Sequence, residues 1–218
     1  MIMHKIDVIM GKDLFEENNR IAAKITKQLK QHNITSIDLM GSIGSGKTLL
    51  IERMIEKLLG EKRVGVIVGD VTGDSDYKRI KQHHIPVVNL NTGKECHLDA
   101  HLVSHALGAL DMAIIDVLFI EKIGNLVCPA DFSLGCNKRG VIISVTEGDD
   151  MVRKHPLIFQ IADFVVINKI DLAEYMEVDI NVLLQDLQRI APKKHFLTDA
   201  KHDNGVDELV KWLIWNDA

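Results

Sequence analysis

One eight-residue segment restricts the folds open to this chain more than any other. Gly41-Ser42-Ile43-Gly44-Ser45-Gly46-Lys47-Thr48 fits the pattern GxxxxGK(S/T). Before it, Ser36–Met40 reads as a short buried strand; after it, Leu49–Ile55 reads as a helix. That context turns a pattern into a mechanism. Glycines let the backbone curl so that successive N–H groups point inward, and the helix N-terminus adds partial positive charge, which together cradle phosphate. Gly41, Ser42, Gly44, Ser45 and Gly46 are therefore expected around the phosphates. Lys47 is expected to reach the β- and γ-phosphates, and the Thr48 hydroxyl to ligate Mg2+.

The rest of the chain repeats the strand-then-helix rhythm. Val64–Asp70, Pro86–Leu90, Ala113–Ile120, Val141–Val145 and Phe164–Asn168 are continuous apolar runs, as expected of parallel strands buried on both faces. His195–Thr198 is a weaker last strand. Helices are expected at about Asp76–His83, Leu98–Leu110, Val152–Ile161, Asp179–Ile190 and Val206–Trp215. An amphipathic helix at about 14–31, with Leu14, Ile21, Ala22, Ile25 and Leu29 on its apolar stripe, precedes the loop. This alternation predicts an α/β fold, a mostly parallel sheet with helices on both faces. No repeat or linker interrupts it, so residues 1–218 are expected to form a single P-loop domain.

Composition removes several classes of partner. The net charge of −5, with no large lysine or arginine cluster, argues against nucleic acid. No apolar run approaches the roughly twenty residues a bilayer demands, and no signal-peptide core is present, so a cytoplasmic location is expected. Three cysteines suit thiols or metal ligation better than disulfides.

Asn168-Lys169-Ile170-Asp171 follows an apolar strand and matches NKxD, the guanine-reading motif of GTPases. Asp171 would accept from guanine N1–H and its amine, Asn168 would brace the loop, and the Lys169 stem would cover the ring. Thr198-Asp199-Ala200-Lys201 resembles a loosened form of the fifth GTPase motif, which places Ala200 and Lys201 beside the base; an ordinary polar turn is the alternative. Asp70, Asp74 and Asp76 are loop carboxylates suited to Mg2+ or its waters, with helix capping as the competing role. Glu121-Lys122-Ile123-Gly124 resembles the DxxG switch with Glu for Asp. Glu121 would hold Mg2+ through water and help orient the attacking water, and the Gly124 amide would bind the γ-phosphate. No glutamine follows this glycine, so slow intrinsic turnover is expected.

A second constellation carries thiols and imidazoles. His97, His101 and His105 recur every four residues, which would align them on one helix face, and Cys96 adjoins His97. Cys128-Pro129 lies just beyond the switch segment. Thiolate with imidazole is a ligand set for Zn2+, and imidazole also suits Ni2+. Cys96, His97 and Cys128 make three ligands, one short of a closed tetrahedron, and a two-fold dimer could complete it. The alternative is a core thiol with histidines on a solvated helix. Cys136 has no histidine beside it and receives no assignment.

Taken together, the phosphate loop, ExxG, NKxD, the stretch NTGKECHLDAHLVSH and the run GNLVCPADFSLG resemble the HypB family of hydrogenase-maturation GTPases, of the dimerising SIMIBI class. The related urease accessory GTPases carry Cys-Pro-His, whereas Ala130 follows Cys128-Pro129 here. The resemblance implies GTP hydrolysis to GDP and phosphate, coupled to nickel insertion into nickel–iron hydrogenase. It implies a GTP-stabilised homodimer that holds Ni2+ or Zn2+ at Cys96, His97 and Cys128. Partners would be the hydrogenase precursor and other maturation factors. Lys154 is the candidate for a lysine that approaches the partner subunit's phosphates. The chain has neither the N-terminal CxxCGC cluster nor the histidine-rich tail of some members. A purely structural zinc site remains the rival reading.

Overall fold

The computed structural model describes residues 3–93 and 97–215 of the chain. Among these, seven parallel strands form one sheet in the order β3-β2-β4-β1-β5-β6-β7. The strands are β1 Thr35–Gly41, β2 Val64–Asp70, β3 Val87–Asn91, β4 Val117–Glu121, β5 Lys138–Ser144, β6 Phe164–Asn168 and β7 Lys194–Thr198. The helices are α1 Met3–Gln31, α2 Lys47–Leu58, α3 Ser75–Lys81, α4 Ala100–Gly108, α5 Met151–Lys154, α6 Pro156–Ile161, α7 Ile180–Ile190 and α8 Val206–Trp215. The expected α/β fold is what is found.

Helices cover both faces because the central strands are apolar on both. Ile37 and Leu39 of β1 pack with Leu50, Ile51 and Met54 of α2 and Leu209 of α8 on one side. Ile67, Leu118 and Ile120 pack with Ile25 and Leu29 of α1 and Val103 and Leu107 of α4 on the other. A third cluster joins Val141, Ile143 and Val165 to Ile158, Phe159 and Leu183.

Three expectations are corrected. The strand expected at Ala113–Ile120 begins only at Val117, because the Asp111 carboxylate accepts from Ala113 N and folds Met112–Ile114 into a 3-10 turn. The helix expected at Val152–Ile161 divides into α5 and α6: Pro156 lacks the N–H that a continuous helix needs and serves as the first residue of a new one. The first helix extends back to Met3, and Leu14, assigned to its buried stripe, is 66% exposed while Ala22, Ile25 and Leu29 are buried.

Candidate nucleotide and metal site

In a parallel sheet every strand delivers its loop to the same edge, and each functional motif here leaves the carboxyl end of a strand. The phosphate loop follows β1, Asp70 ends β2, Glu121 ends β4, Asn168 ends β6 and Thr198 ends β7. All but the last of these loops line one cavity of about 430 Å3, bordered by Gly44, Gly46, Lys47, Thr48, Asp70, Asp76, Arg79, Glu121, Gly124 and Lys169.

The loop's curvature depends on Gly46, which caps α2 in the left-handed region (φ 95°), where an added Cβ would also overlap the Asn168 amide. Lys47 is buried, and its Nζ donates to the carbonyls of Gly41 (3.1 Å) and Ser42 (2.9 Å). Burial lowers its pKa, opposed mainly by the charge of Glu121. Thr48 Oγ1 donates to Glu121 Oε1 at 2.7 Å. Burial raises the Glu121 carboxyl to about 7 despite Lys47, and its Oε2 has no hydrogen-bond partner. That orphaned oxygen, with the Thr48 hydroxyl and the Asp70 and Asp76 carboxylates around one cavity, is a donor set that fits a hard divalent cation such as Mg2+. Asp74 stands apart, paired with Lys78 at 2.8 Å.

Asn168 ties the base-side loops to the phosphate loop. Its Nδ2 donates to Ser45 O at 3.0 Å, and its Oδ1 accepts from Thr198 Oγ1 (3.0 Å) and Ala200 N (3.2 Å). Lys169, itself left-handed (φ 60°), donates to Gly44 O at 2.6 Å. Next to them a cavity of about 220 Å3 is lined by Gly46, Leu49, Asn168, Lys169, Asp171, Leu172, Asp199 and Lys201. This cavity shares Gly46 and Lys169 with the larger one and has exposed Asp171 at its wall.

The imidazoles do not share one helix face. α4 begins at Ala100, capped by the Asp99 carboxylate on Leu102 N, so His97 lies ahead of the helix. Only the exposed His101 and His105 are helical neighbours, their rings edge to face at 4.6 Å. His97 stacks on Phe132, with centroids 4.0 Å apart and planes 15° from parallel, and its Nδ1 is buried without a hydrogen-bond partner. An orphaned ring nitrogen fits a metal ligand. Cys128, half-buried, begins a 3-10 turn in the loop that also carries Phe132. Cys96 lies outside the described residues. Cys136 adjoins Asp38 and Ser36, and burial pushes its thiol well above the range in which it ionises.

Lys154 is exposed and pairs with Asp150 at 2.6 Å rather than facing its own chain's phosphate loop. Several residues in and around the cavity carry no signal that the motifs reveal. Arg79 lines the phosphate cavity, held by Glu52. Glu147 caps the turn after β5 through Ser144 N (3.0 Å), and burial raises its pKa. Lys122 and Asp38 form an ion pair with almost no exposed surface. Only the S-x-x-E spacing of Ser144 and Glu147 was a readable signal for any of these.

Known proteins resemble this chain over nearly its whole length. Residues 35–198 match the family model of the CobW/HypB/UreG nucleotide-binding domain. A probable hydrogenase maturation factor HypB of Methanocaldococcus jannaschii is 49% identical over 97% of this chain and 96% of its own length. The crystal structure of HypB from Archaeoglobus fulgidus matches with a TM-score of 0.85 at 45% identity, covering 91% of this chain and 97% of that one. HypB from Helicobacter pylori, solved in complex with nickel, matches with a TM-score of 0.86 at 30% identity, covering 90% and 93%. The chain therefore belongs to the CobW/HypB/UreG nucleotide-binding family and, within it, to the HypB hydrogenase maturation factors.

Proposed function

We propose that this chain hydrolyses GTP and uses the exchange between its GTP and GDP states to control delivery of nickel to a hydrogenase precursor. The observation that carries the reading is Asn168, whose amide bonds to both the phosphate loop and the loop at Ala200 beside the smaller cavity, an arrangement that would let one nucleotide span both cavities. Asp171 at the smaller cavity offers acceptors to guanine N1–H and its amine, which adenine cannot satisfy.

On binding, Lys47 exchanges the carbonyls of Gly41 and Ser42 for phosphate oxygens, and the Gly124 amide faces the γ-phosphate. Water attacks the γ-phosphorus, the bond to the β–γ bridging oxygen breaks, and GDP and phosphate leave. Mg2+, held by Thr48 with Glu121, Asp70 or Asp76, would neutralise charge building on the phosphate oxygens. Glu121 Oε2 has acceptor capacity to orient the water or its proton. Loss of the γ-phosphate then releases the segment Glu121–Gly124.

His97 and Cys128, with Cys96, would hold Ni2+ as cargo or Zn2+ in its place, and a second copy of the chain would complete the site. A homodimer across the nucleotide face is supported by the exposed Ile43, Val127 and Leu157. Lys154 of each copy would approach the other's phosphates. No described helix is long and apolar enough to cross a membrane, which is compatible with the cytoplasmic setting that GTP requires. The test is phosphate release with GTP and ATP as competing substrates. Turnover of GTP that ATP does not inhibit supports the reading, and equal use of both refutes it. A structural zinc clamp would instead show metal affinity independent of nucleotide.

A further inference from the structure

Lys122 has no exposed surface, and the nucleotide chemistry assigns it no task. It directly follows Glu121 at the end of β4. Its Nζ lies 3.2 Å from Asp38 Oδ2 and donates to the carbonyl of Phe132 at 2.8 Å. Asp38 is equally buried, sits on β1 three residues before Gly41, and also faces Arg139 Nε at 3.5 Å. Desolvating an ammonium and a carboxylate together is costly, and a well-packed apolar pair would fill the space without that penalty. Neither Asp38 oxygen has a hydrogen-bond partner, so the carboxylate holds the ammonium by charge, and the directional contact is the ammonium's hydrogen bond to the Phe132 carbonyl, which an apolar side chain could not make.

The carbonyl it holds belongs to the residue whose ring stacks on His97. The loop has other tethers, Asn125 N to Gly41 O at 3.0 Å and Asn18 Nδ2 to Ser133 O at 2.9 Å, so its attachment to the core does not depend on Lys122 alone. Two facts thus meet in one side chain: covalent succession to the Mg2+ candidate Glu121, and a grip on the residue that orients the metal candidate His97.

We infer that Lys122 is a positioning residue that transmits the state of the phosphate site to the metal ligands, through the Phe132 carbonyl to the ring against His97. This rests on the reading above that nucleotide and metal binding are linked. A shift of Glu121–Gly124 on gain or loss of the γ-phosphate moves the Lys122 backbone while Asp38 stays fixed in β1. The Phe132 carbonyl must follow or lose its donor, and the imidazole loses or regains its support. By linkage, metal changes nucleotide affinity to the same extent.

The test measures Zn2+ affinity by chelator competition in the presence of GDP and of a non-hydrolysable GTP analogue. The reciprocal measurement is fluorescent-GDP affinity with and without Zn2+. Wild type is expected to show a ratio between nucleotide states in the range of about 5- to 150-fold. In Lys122→Met and in Phe132→Leu the ratio should collapse toward one, while metal per chain in both, and GDP affinity without metal in Phe132→Leu, stay near wild type. Should Lys122→Met fail to fold, Lys122→Met/Asp38→Leu removes both buried charges. Phe132→Leu, which keeps the ion pair, tests the same route from its far end. A wild-type ratio retained in the folded variants overturns the assignment of Lys122. A ratio of one in wild type instead overturns the linkage on which it rests.

Discussion

Glu121→Gln in nucleotide-free, chelator-treated protein should change how stability depends on pH. The wild-type carboxyl is raised from 4.5 to about 7 because burial disfavours its charge more than Lys47 and the Thr48 hydroxyl favour it. The folded chain therefore holds a proton that the unfolded chain releases between about pH 4.5 and 7. Stability contributed by this group is fully present below that window, falls as pH rises through it, and is level above. The displacement corresponds to about 3 kcal/mol, of which about 2–3 kcal/mol is lost between about pH 5 and pH 8. Glutamine does not titrate. It keeps an acceptor for Thr48 but places an amide N–H2 where Oε2 had no partner, a pH-independent cost of about 1–3 kcal/mol. The variant should thus be the less stable protein near pH 5 and gain on wild type by about 2–3 kcal/mol toward pH 8. In melting temperature that is roughly 5–10 °C for a chain of this size. Urea titrations of both proteins across the range measure it. Stability curves that run parallel from acid to alkaline pH would refute the claim that burial controls this carboxyl.

Asp171→Asn exchanges an acceptor for a donor, so it should weaken GTP binding by about 100-fold or more and improve binding of xanthosine triphosphate, whose C2 carbonyl accepts; displacement of a fluorescent guanine nucleotide reads both, and unchanged base preference would exclude Asp171 from contact with the base. Asn168→Ala removes bonds to Ser45, Thr198 and Ala200 at a buried position and should cost about 3 kcal/mol before any nucleotide is added; a loss below about 1 kcal/mol in denaturant melts would contradict its role as a tie. His97→Ala and Cys128→Ala should each lower Zn2+ and Ni2+ bound per chain, whereas the exposed His105→Ala should not; equilibrium dialysis with elemental analysis decides, and undiminished metal in the first two would remove them from the ligand set.

Much of the architecture was legible because a strand covered on both faces must be apolar throughout, and runs such as Val64–Val68 and Phe164–Ile167 allow little else. The run at Ala113–Ile115 misled because composition cannot show that Asp111 turns the backbone first or that Asp116 is engaged by Arg63. The phosphate loop and NKxD were legible as local grammar. The four-residue spacing of His97, His101 and His105 implies one helix face, although Asp99 caps that helix only after His97. Lys122, Asp38 and Arg79 were invisible for a different reason. Their contacts join elements far apart in sequence, Lys122 with Asp38 and Arg79 with Glu52, and a lysine at the end of an apolar run reads as the place where the chain meets water.

The strand order also dictates how the chain must be born. β1 pairs with β4 and β5 and with nothing nearer in sequence: Thr35 aligns with Val117 and Ile37 with Lys138. During synthesis the phosphate loop leaves the ribosome on a strand whose first neighbour is about eighty residues away, several seconds of elongation at about 5–20 residues per second. Until then, Ile37, Leu39 and Met40 have no sheet to enter. Because high-separation pairings form slowly, maturation of this chain should be limited by closure around β1, and a chaperone or a slowed elongation step that shields residues 35–58 would raise the folded yield more than the same help given to the C-terminal half.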